Sequence, residues 1–267
     1  MRKFNIISKY EENSKLLAEK IKTSLLENNF VYDERNPDLV IILGGDGKLL
    51  RTIHNYIDSI DKIDFVTFTT GTLGFSSDFI QTEIDEFIDL LIADEYTIEE
   101  IHLLEADINY YYKKEKKYAL NELRLENRHH TCIIDVYLND QHLENFRGNG
   151  LCVSTPFGST GYNKSLSGAV VLNNVEVLQL TEVAGIHNIN YRSLGNSLIV
   201  NKDTKISLKP TSKHTLIGID HFLVDSNDLR SVDIRYSDKY IRFAHYKKKN
   251  CIDRIKKSFI YGKKEAK

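Results

Sequence analysis

Short apolar runs alternate with stretches of helical spacing through the first third of the chain. Phe4-Asn5-Ile6-Ile7 reads as a first strand. Ser14 stands where a helix cap is expected, and Leu17, Ile21 and Leu25 follow on one face at i, i+4 and i+8. After Pro37 the run Leu39-Val40-Ile41-Ile42-Leu43 is apolar without interruption, the pattern of a strand buried on both faces of a parallel sheet. Leu49, Leu50, Ile53 and Ile57 return to helical spacing, and residues 63–68 form another strand. Ile84, Phe87, Ile88, Leu91 and Ile92 then give an amphipathic helix with Thr82 as its expected cap. Strand and helix in turn predict a mostly parallel α/β domain over residues 1–97.

The pattern changes near residue 97. Short runs rich in Tyr, Ile, Val and Thr follow, many of them alternating. Cys132, Ile134, Val136 and Leu138 share one face of a strand, and Asn139-Asp140 supplies a turn. Residues 204–208, 215–224, 232–236 and 240–244 read as further strands. Residues 173–186 read as a helix. A second, antiparallel β-rich domain is therefore predicted over 98–247. A short amphipathic helix at about 250–262, carrying Ile252, Ile255, Phe259 and Ile260, is placed to pack back on the first domain.

The turn Gly44-Gly45-Asp46-Gly47 falls where the buried strand ends and a helix begins. Open α/β sheets place ligands there, outside the carboxyl ends of the strands. Glycines admit close approach of a phosphate, and the helix offers free N–H groups and a positive dipole end. Asp46 is then a carboxylate beside a polyphosphate, set either to accept a hydroxyl proton or to help hold a metal. The competing reading makes Asp46 a simple helix cap. Neither a GxGxxG nor a GxxxxGK[ST] pattern is present. A second glycine turn, Thr69-Thr70-Gly71-Thr72-Leu73-Gly74-Phe75, ends the next strand. Its Phe75 is either a core residue or an apolar wall for a base.

In the β-rich part, adjacent Asn121 and Glu122 in a strand are expected on opposite faces unless a bulge intervenes. Read alone, the two are an exposed polar pair. Read as a site, Glu122 accepts from a ribose diol and Asn121 pairs with a base edge or a phosphate. Residues 146–165 pack glycines, hydroxyls and one proline between apolar runs, as a functional loop does.

Composition narrows the classes. Hydrophobic residues make up 41% and charged residues 28%, the balance of a folded globular protein. With 36 basic and 38 acidic residues, the net charge of -2 gives no field for nucleic acid. Lys247-Lys248-Lys249 reads as a solvated helix flank. Cys132, Cys152 and Cys251 are scattered and odd in number, so neither a disulfide framework nor a paired-cysteine metal site is expected. The N-terminus lacks the apolar core of a signal peptide, and no run is long enough to span a bilayer. A soluble, cytoplasmic protein is expected.

Taken together, GGDG, the TGTLGF stretch ending at Phe75, Asn121-Glu122, the run from Phe146 to Ala169, Leu178-Gln179-Leu180-Thr181-Glu182 and Ile219-Asp220-His221 resemble the bacterial NAD kinases, over essentially the whole chain. The resemblance implies an N-terminal Rossmann-like α/β domain plus a C-terminal antiparallel β-sandwich domain. It implies transfer of a phosphoryl group from ATP or polyphosphate to the adenosine ribose 2′-hydroxyl of NAD, with a divalent metal ion, expected to be magnesium. It implies Asp46 as the catalytic base. It places Gly47, Phe75, Asn121, Glu122, Arg147, Asn149, Thr160, Gly161, Tyr162, Asn163, Lys164, Ser165, Ala184, Ile186 and His221 at the dinucleotide. No protein metal ligands are assigned. A homotetramer is implied, each site completed by a neighbouring subunit, with neither nucleic acid nor membrane as partner. Lys48, Thr72, Asn149, Phe157 and Gly161 depart from the family pattern, which usually has Thr, His, Asp, Ser and Ala there. Asn149 exchanges a carboxylate acceptor for an amide. Those departures motivate a second reading, a non-catalytic NAD(P)-binding regulator on the same fold. A lipid kinase has only the GGDG turn in its favour.

Overall fold

The computed structural model describes residues 1–69, 75–127, 129–212, 215–247 and 251–261. The chain forms two compact units, residues 1–100 with 241–267 and residues 101–240.

The first unit contains β1 (Lys3–Ser8), α1 (Glu12–Glu27), β2 (Val31–Tyr32), β3 (Leu39–Leu43), α2 (Asp46–Asn55), β4 (Asp64–Thr69), β5 (Phe79–Ile80) and α3 (Ile84–Ala93). Strands β2, β1, β3 and β4 lie side by side and parallel, and β5 pairs with the end of β4. All five residues of β3 are fully buried. That is why its sequence shows no alternation: Leu39, Ile41 and Leu43 join Phe4, Ile21, Leu25, Phe68, Phe87 and Leu91 in one core, while Val40 and Ile42 face the other way. Asp64, at the start of β4, accepts from Arg2 (2.8 Å), Arg242 (2.8 Å) and Tyr96 (2.8 Å). The cluster satisfies a largely buried carboxylate as burial requires.

Two predicted caps differ. Helix α1 begins before Ser14, which is buried in its first turn. A 3-10 turn (Gln81–Glu83) precedes α3, and Glu83 rather than Thr82 accepts there, from the Ile80 N–H at 2.9 Å. Lys247 is no free flank: it pairs with Glu83 (3.0 Å) and Glu86 (2.8 Å). The tail is α5, residues Cys251–Ile255, followed by a wider π-type turn, Lys256–Ile260, in which Ile260 is exposed.

The second unit is built from β6 (Thr97–Tyr110), β7 (Lys114–Ala119), β8 (Glu122–Glu126), β9 (Cys132–Leu138), β10 (Gln141–Gly148), β11 (Gly150–Ser154), the short helix α4 (Tyr162–Ser165), β12 (Val177–Val183), β13 (Leu198–Asn201), β14 (Ile206–Pro210), β15 (Leu216–Ile219), β16 (Phe222–Val224) and β17 (Leu229–His245). Strands β6 and β17 begin or end in the first unit. One layer runs β10-β9-β14-β17-β6-β7 and the other β13-β12-β11-β8-β15-β16. Leu104, Ile134, Val136, Ile206 and Val232 from the first layer share a core with Leu123, Leu125, Leu151, Val153, Leu178 and Ile217 from the second. The alternation seen in Cys132, Ile134 and Val136 is this inward face.

Three sequence expectations are corrected here. Residues 173–186 are not a helix; they contain β12, which pairs antiparallel with β11 and β13. The run 215–224 is a hairpin, β15 and β16, turning at Asp220, whose φ of 48° is left-handed. The runs 232–236 and 240–244 are one long strand, β17.

Candidate active site

In the first unit the Gly44-Gly45-Asp46-Gly47 turn joins β3 to α2. Gly45 occupies the cap position and Asp46 is the first helical residue, so Asp46 is not the helix cap. Its carboxylate instead takes three donors from one segment: the Phe75 N–H (3.3 Å), the Ser76 N–H (3.2 Å) and the Ser76 hydroxyl (2.5 Å). Ser76 is buried. A Cβ built on Gly44 would lie 2.8 Å from the Lys48 Cβ, so the Lys48 stem runs along the turn. Burial lowers the Lys48 ammonium from its ordinary value, and Arg51 adds to this. The Lys9 Cε is also 3.7 Å from that built position, so two lysine stems flank the turn. The expected glycine turn lies outside the described residues except for Thr69 and Phe75. Phe75 is half-buried, and its ring sits 6.1 Å from that of Phe259.

In the second unit Asn121 stands just before β8, outside the strand, so the opposite-face rule does not apply to it. The Asp220 carboxylate takes the Leu120 N–H (3.0 Å), the Asn121 N–H (2.8 Å) and the Glu122 N–H (3.3 Å). Both side chains are thereby presented together. Asn121 Oδ1 and Glu122 Oε2 are buried and have no hydrogen-bond partner among the described residues. Such orphans are rare and point to an absent ligand donor. Glu122 is pushed up to about 7, first by burial and next by the Asp220 carboxylate, with Arg124 opposing. Arg124 lies 3.8 Å from Glu122 and 3.6 Å from Glu126, with its guanidinium 5.0 Å from the centre of the Tyr162 ring.

The loop 155–165 is packed against this pair. Its hydroxyls are mostly structural: Thr155 donates to the Leu120 carbonyl (2.5 Å) and accepts the Gly158 N–H (3.0 Å), while Ser159 donates to the Pro156 carbonyl (2.6 Å). A Cβ at Gly158 would lie 2.1 Å from the Asn121 carbonyl oxygen, so only glycine fits. At Gly161 it would lie 3.5 Å from Asn121 Nδ2 and 4.0 Å from Glu122 Oε2. Asn149, Tyr162, Arg124, Glu126, Asn127 and Val183 line a cavity of about 160 Å³. Asn163 is fully buried and accepts from the Thr181 hydroxyl (2.7 Å). Thr160 donates to the Phe157 carbonyl (3.2 Å). Arg147 lies over the Tyr191 ring, and its carbonyl takes the Ile186 N–H. Gly47, Lys164, Ser165, Ala184, Ile186 and His221 are solvent-exposed.

Two family models match: the ATP-NAD kinase N-terminal domain over residues 7–96 and the ATP-NAD kinase C-terminal domain over residues 120–246. NAD kinase 1 of Bacillus anthracis is 37% identical over 264 residues, covering 98% of this chain and 100% of the relative. The chain belongs to the NAD kinase family. The NAD kinase of Geobacillus stearothermophilus is 39% identical over 260 residues, covering 96% of each chain. The yeast NADH kinase complexed with NADH superposes with a TM-score of 0.84 at 19% identity, covering 98% of this chain and 89% of that one. The Archaeoglobus fulgidus NAD kinase in complex with ATP has a TM-score of 0.73 at 18% identity, covering 95% and 96%. Both share the two-unit fold of the NAD kinase family.

Ser76, Arg124 and the anchoring role of Asp220 lie outside what the sequence motifs single out. For Arg124 a signal existed: Glu122, Arg124 and Glu126 recur every second residue and so share a strand face. For Ser76 none did, because its partner is distant in sequence.

Proposed function

We propose that the protein is an NAD kinase, transferring the γ-phosphoryl group of ATP to the adenosine ribose 2′-hydroxyl of NAD to give NADP. The observation that carries it is a full-length relationship to NAD kinases together with two buried acceptor oxygens, Asn121 Oδ1 and Glu122 Oε2, that have no hydrogen-bond partner among the described residues. The 2′-oxygen attacks phosphorus, the bond from that phosphorus to ADP breaks, and Asp46 takes the hydroxyl proton. Glu122 accepts from a ribose diol, and Asn121 accepts from an amino donor. Gly161 and Tyr162 border these acceptors, and Asn149 lines the cavity beside them.

Among the described residues no group of three or more His, Cys, Asp and Glu side chains is arranged to hold a metal ion. A magnesium ion carried on the nucleotide needs only one or two carboxylates, and Asp46 at the turn fits that donor set. When bound, the ion neutralises phosphate charge. The N-terminus of α2 and the Lys48 stem suit a phosphate chain, whether of ATP or of polyphosphate. No observation favours a non-catalytic dinucleotide-binding role.

Purified protein with magnesium and a panel of ATP or polyphosphate against NAD or NADH is expected to yield a 2′-phosphorylated dinucleotide. Failure of every pair would overturn the proposal. No helix among the described residues is long and apolar enough to cross a membrane. Ile186, Ile189, Tyr191 and Leu194 are exposed on one loop, which suits a subunit contact in a homotetramer. Light scattering should return four times the 30.8 kDa chain mass; a monomer would exclude this.

A further inference from the structure

The tail after β17 lies beyond both matched family ranges, the second of which ends at residue 246. Its helix α5 carries Arg254, whose side chain is only 15% exposed. The guanidinium makes two contacts with one short segment: an ion pair with Asp78 and a hydrogen bond to the Phe75 carbonyl at 3.3 Å. Asp78 is anchored in turn. Its other oxygen lies 2.5 Å from His245 Nδ1, and His245 Nε2 lies 3.0 Å from Glu99. Within this segment are the Phe75 N–H, the Ser76 N–H and the Ser76 hydroxyl, the three donors on Asp46. A second tail residue, Phe259, rests its ring against Phe75.

We infer that Arg254 is a positioning residue for phosphoryl transfer, clamping the segment from Phe75 to Asp78 so that its three donors hold the Asp46 carboxylate in one orientation. Arg254 holds the segment by these two contacts, and its charge also bears directly on the Asp46 carboxylate. The side-chain chemistry suits the task. A planar guanidinium presents several donors in a fixed fork, so it holds a carbonyl and a carboxylate at once. A lysine ammonium has the charge but not the fork. The carboxylate it steadies begins a helix and would otherwise sample several rotamers, and misplacement of a reacting group by about 1 Å can cost about 10²-fold in rate.

The kinetic arm rests on the proposed function; the structural arm does not. Arg254→Ala is expected to lower kcat by about 10–100-fold, with KM for NAD changed by less than about threefold. Asp78→Asn should follow it, and Arg254→Lys should recover part of the loss. Lys247→Ala, which breaks ion pairs to Glu83 and Glu86 in the same unit, serves as the control with unchanged kcat. In backbone amide NMR spectra, Arg254→Ala and Asp46→Asn should both shift the Phe75 and Ser76 resonances, and Lys247→Ala should not. Should Arg254→Ala not fold, Arg254→Lys and Asp78→Asn decide the question by the same two measurements. Unmoved Phe75 and Ser76 amides would overturn the inference, as would a kcat within about twofold of wild type. Loss of kcat in Arg254→Ala but not in Asp78→Asn would also overturn it, since Arg254 would then act by its charge on Asp46 or on the substrate rather than through the segment. If the wild type transfers no phosphoryl group, the proposed function fails, and the amide shifts alone decide the inference.

Discussion

Replacing Asp46 with asparagine is expected to lower NADP formation by about 10²–10⁴-fold, the contribution of a positioned general base. A secondary hydroxyl is a poor nucleophile at neutral pH, and a dissociative phosphoryl transfer leaves the protein mainly to position and to neutralise charge. Asparagine keeps one oxygen, which can still accept from the Ser76 N–H and hydroxyl in the place of Oδ1, so only the Phe75 N–H loses its acceptor. The helix start, held at Gly45, is unaffected. Dinucleotide binding by calorimetry and the thermal midpoint should therefore stay near wild type while kcat collapses. Turnover within about twofold of wild type would remove Asp46 from the chemistry.

Glu122→Gln should separate activity from stability. The carboxyl is buried and pushed up from its ordinary 4.5 to about 7. The folded protein therefore binds more protons than the unfolded chain between those values. Stability then falls as pH rises from about 4.5 to about 7, and above 7 the ionised group costs up to about 3 kcal/mol, at about 1.4 kcal/mol per pH unit. Glutamine removes that cost. The variant should melt higher than wild type at pH 8, with the gap closing toward pH 4.5. Its amide keeps one accepting oxygen and no charge, where the carboxylate offers two charged oxygens to a diol. Charged hydrogen bonds are worth about 1.5–3 kcal/mol each, so KM for NAD should rise about 10²-fold. In the wild type KM should fall as pH rises through about 7, while in Glu122→Gln it should be flat. A lower melting point at pH 8, or an unchanged KM, would refute this account.

Much of the architecture is legible in residue order because it follows from burial. The unbroken apolar run of β3 and the alternation of β9 are direct prints of a strand covered on two faces and on one. The strand β12 is not legible, for a physical reason. Its polar residues Gln179 and Thr181 are buried: Gln179 bonds to the backbone of Ala169, and Thr181 donates to Asn163. Buried polar groups mimic the polar face of a helix. The hairpin at Asp220 reads as one strand in the sequence because a single left-handed residue turns the chain, without a glycine at the turn to announce it. Among the candidate residues, Asp46, Asn121, Glu122 and Tyr162 stand in recognisable strings. Arg254 and Ser76 do not, since each acquires its task from a partner far along the chain.

The turn at Gly44 leaves the two ends of one helical step with different evolutionary latitude. What excludes a side chain at residue 44 is the Cβ of residue 48, 2.8 Å away. Any residue but glycine at 48 carries that atom. Position 48 is therefore free to drift among side chains of different charge without disturbing the turn, and lysine there is a permitted variant rather than a lesion. Position 44 has no such freedom as long as residue 48 is anything but glycine.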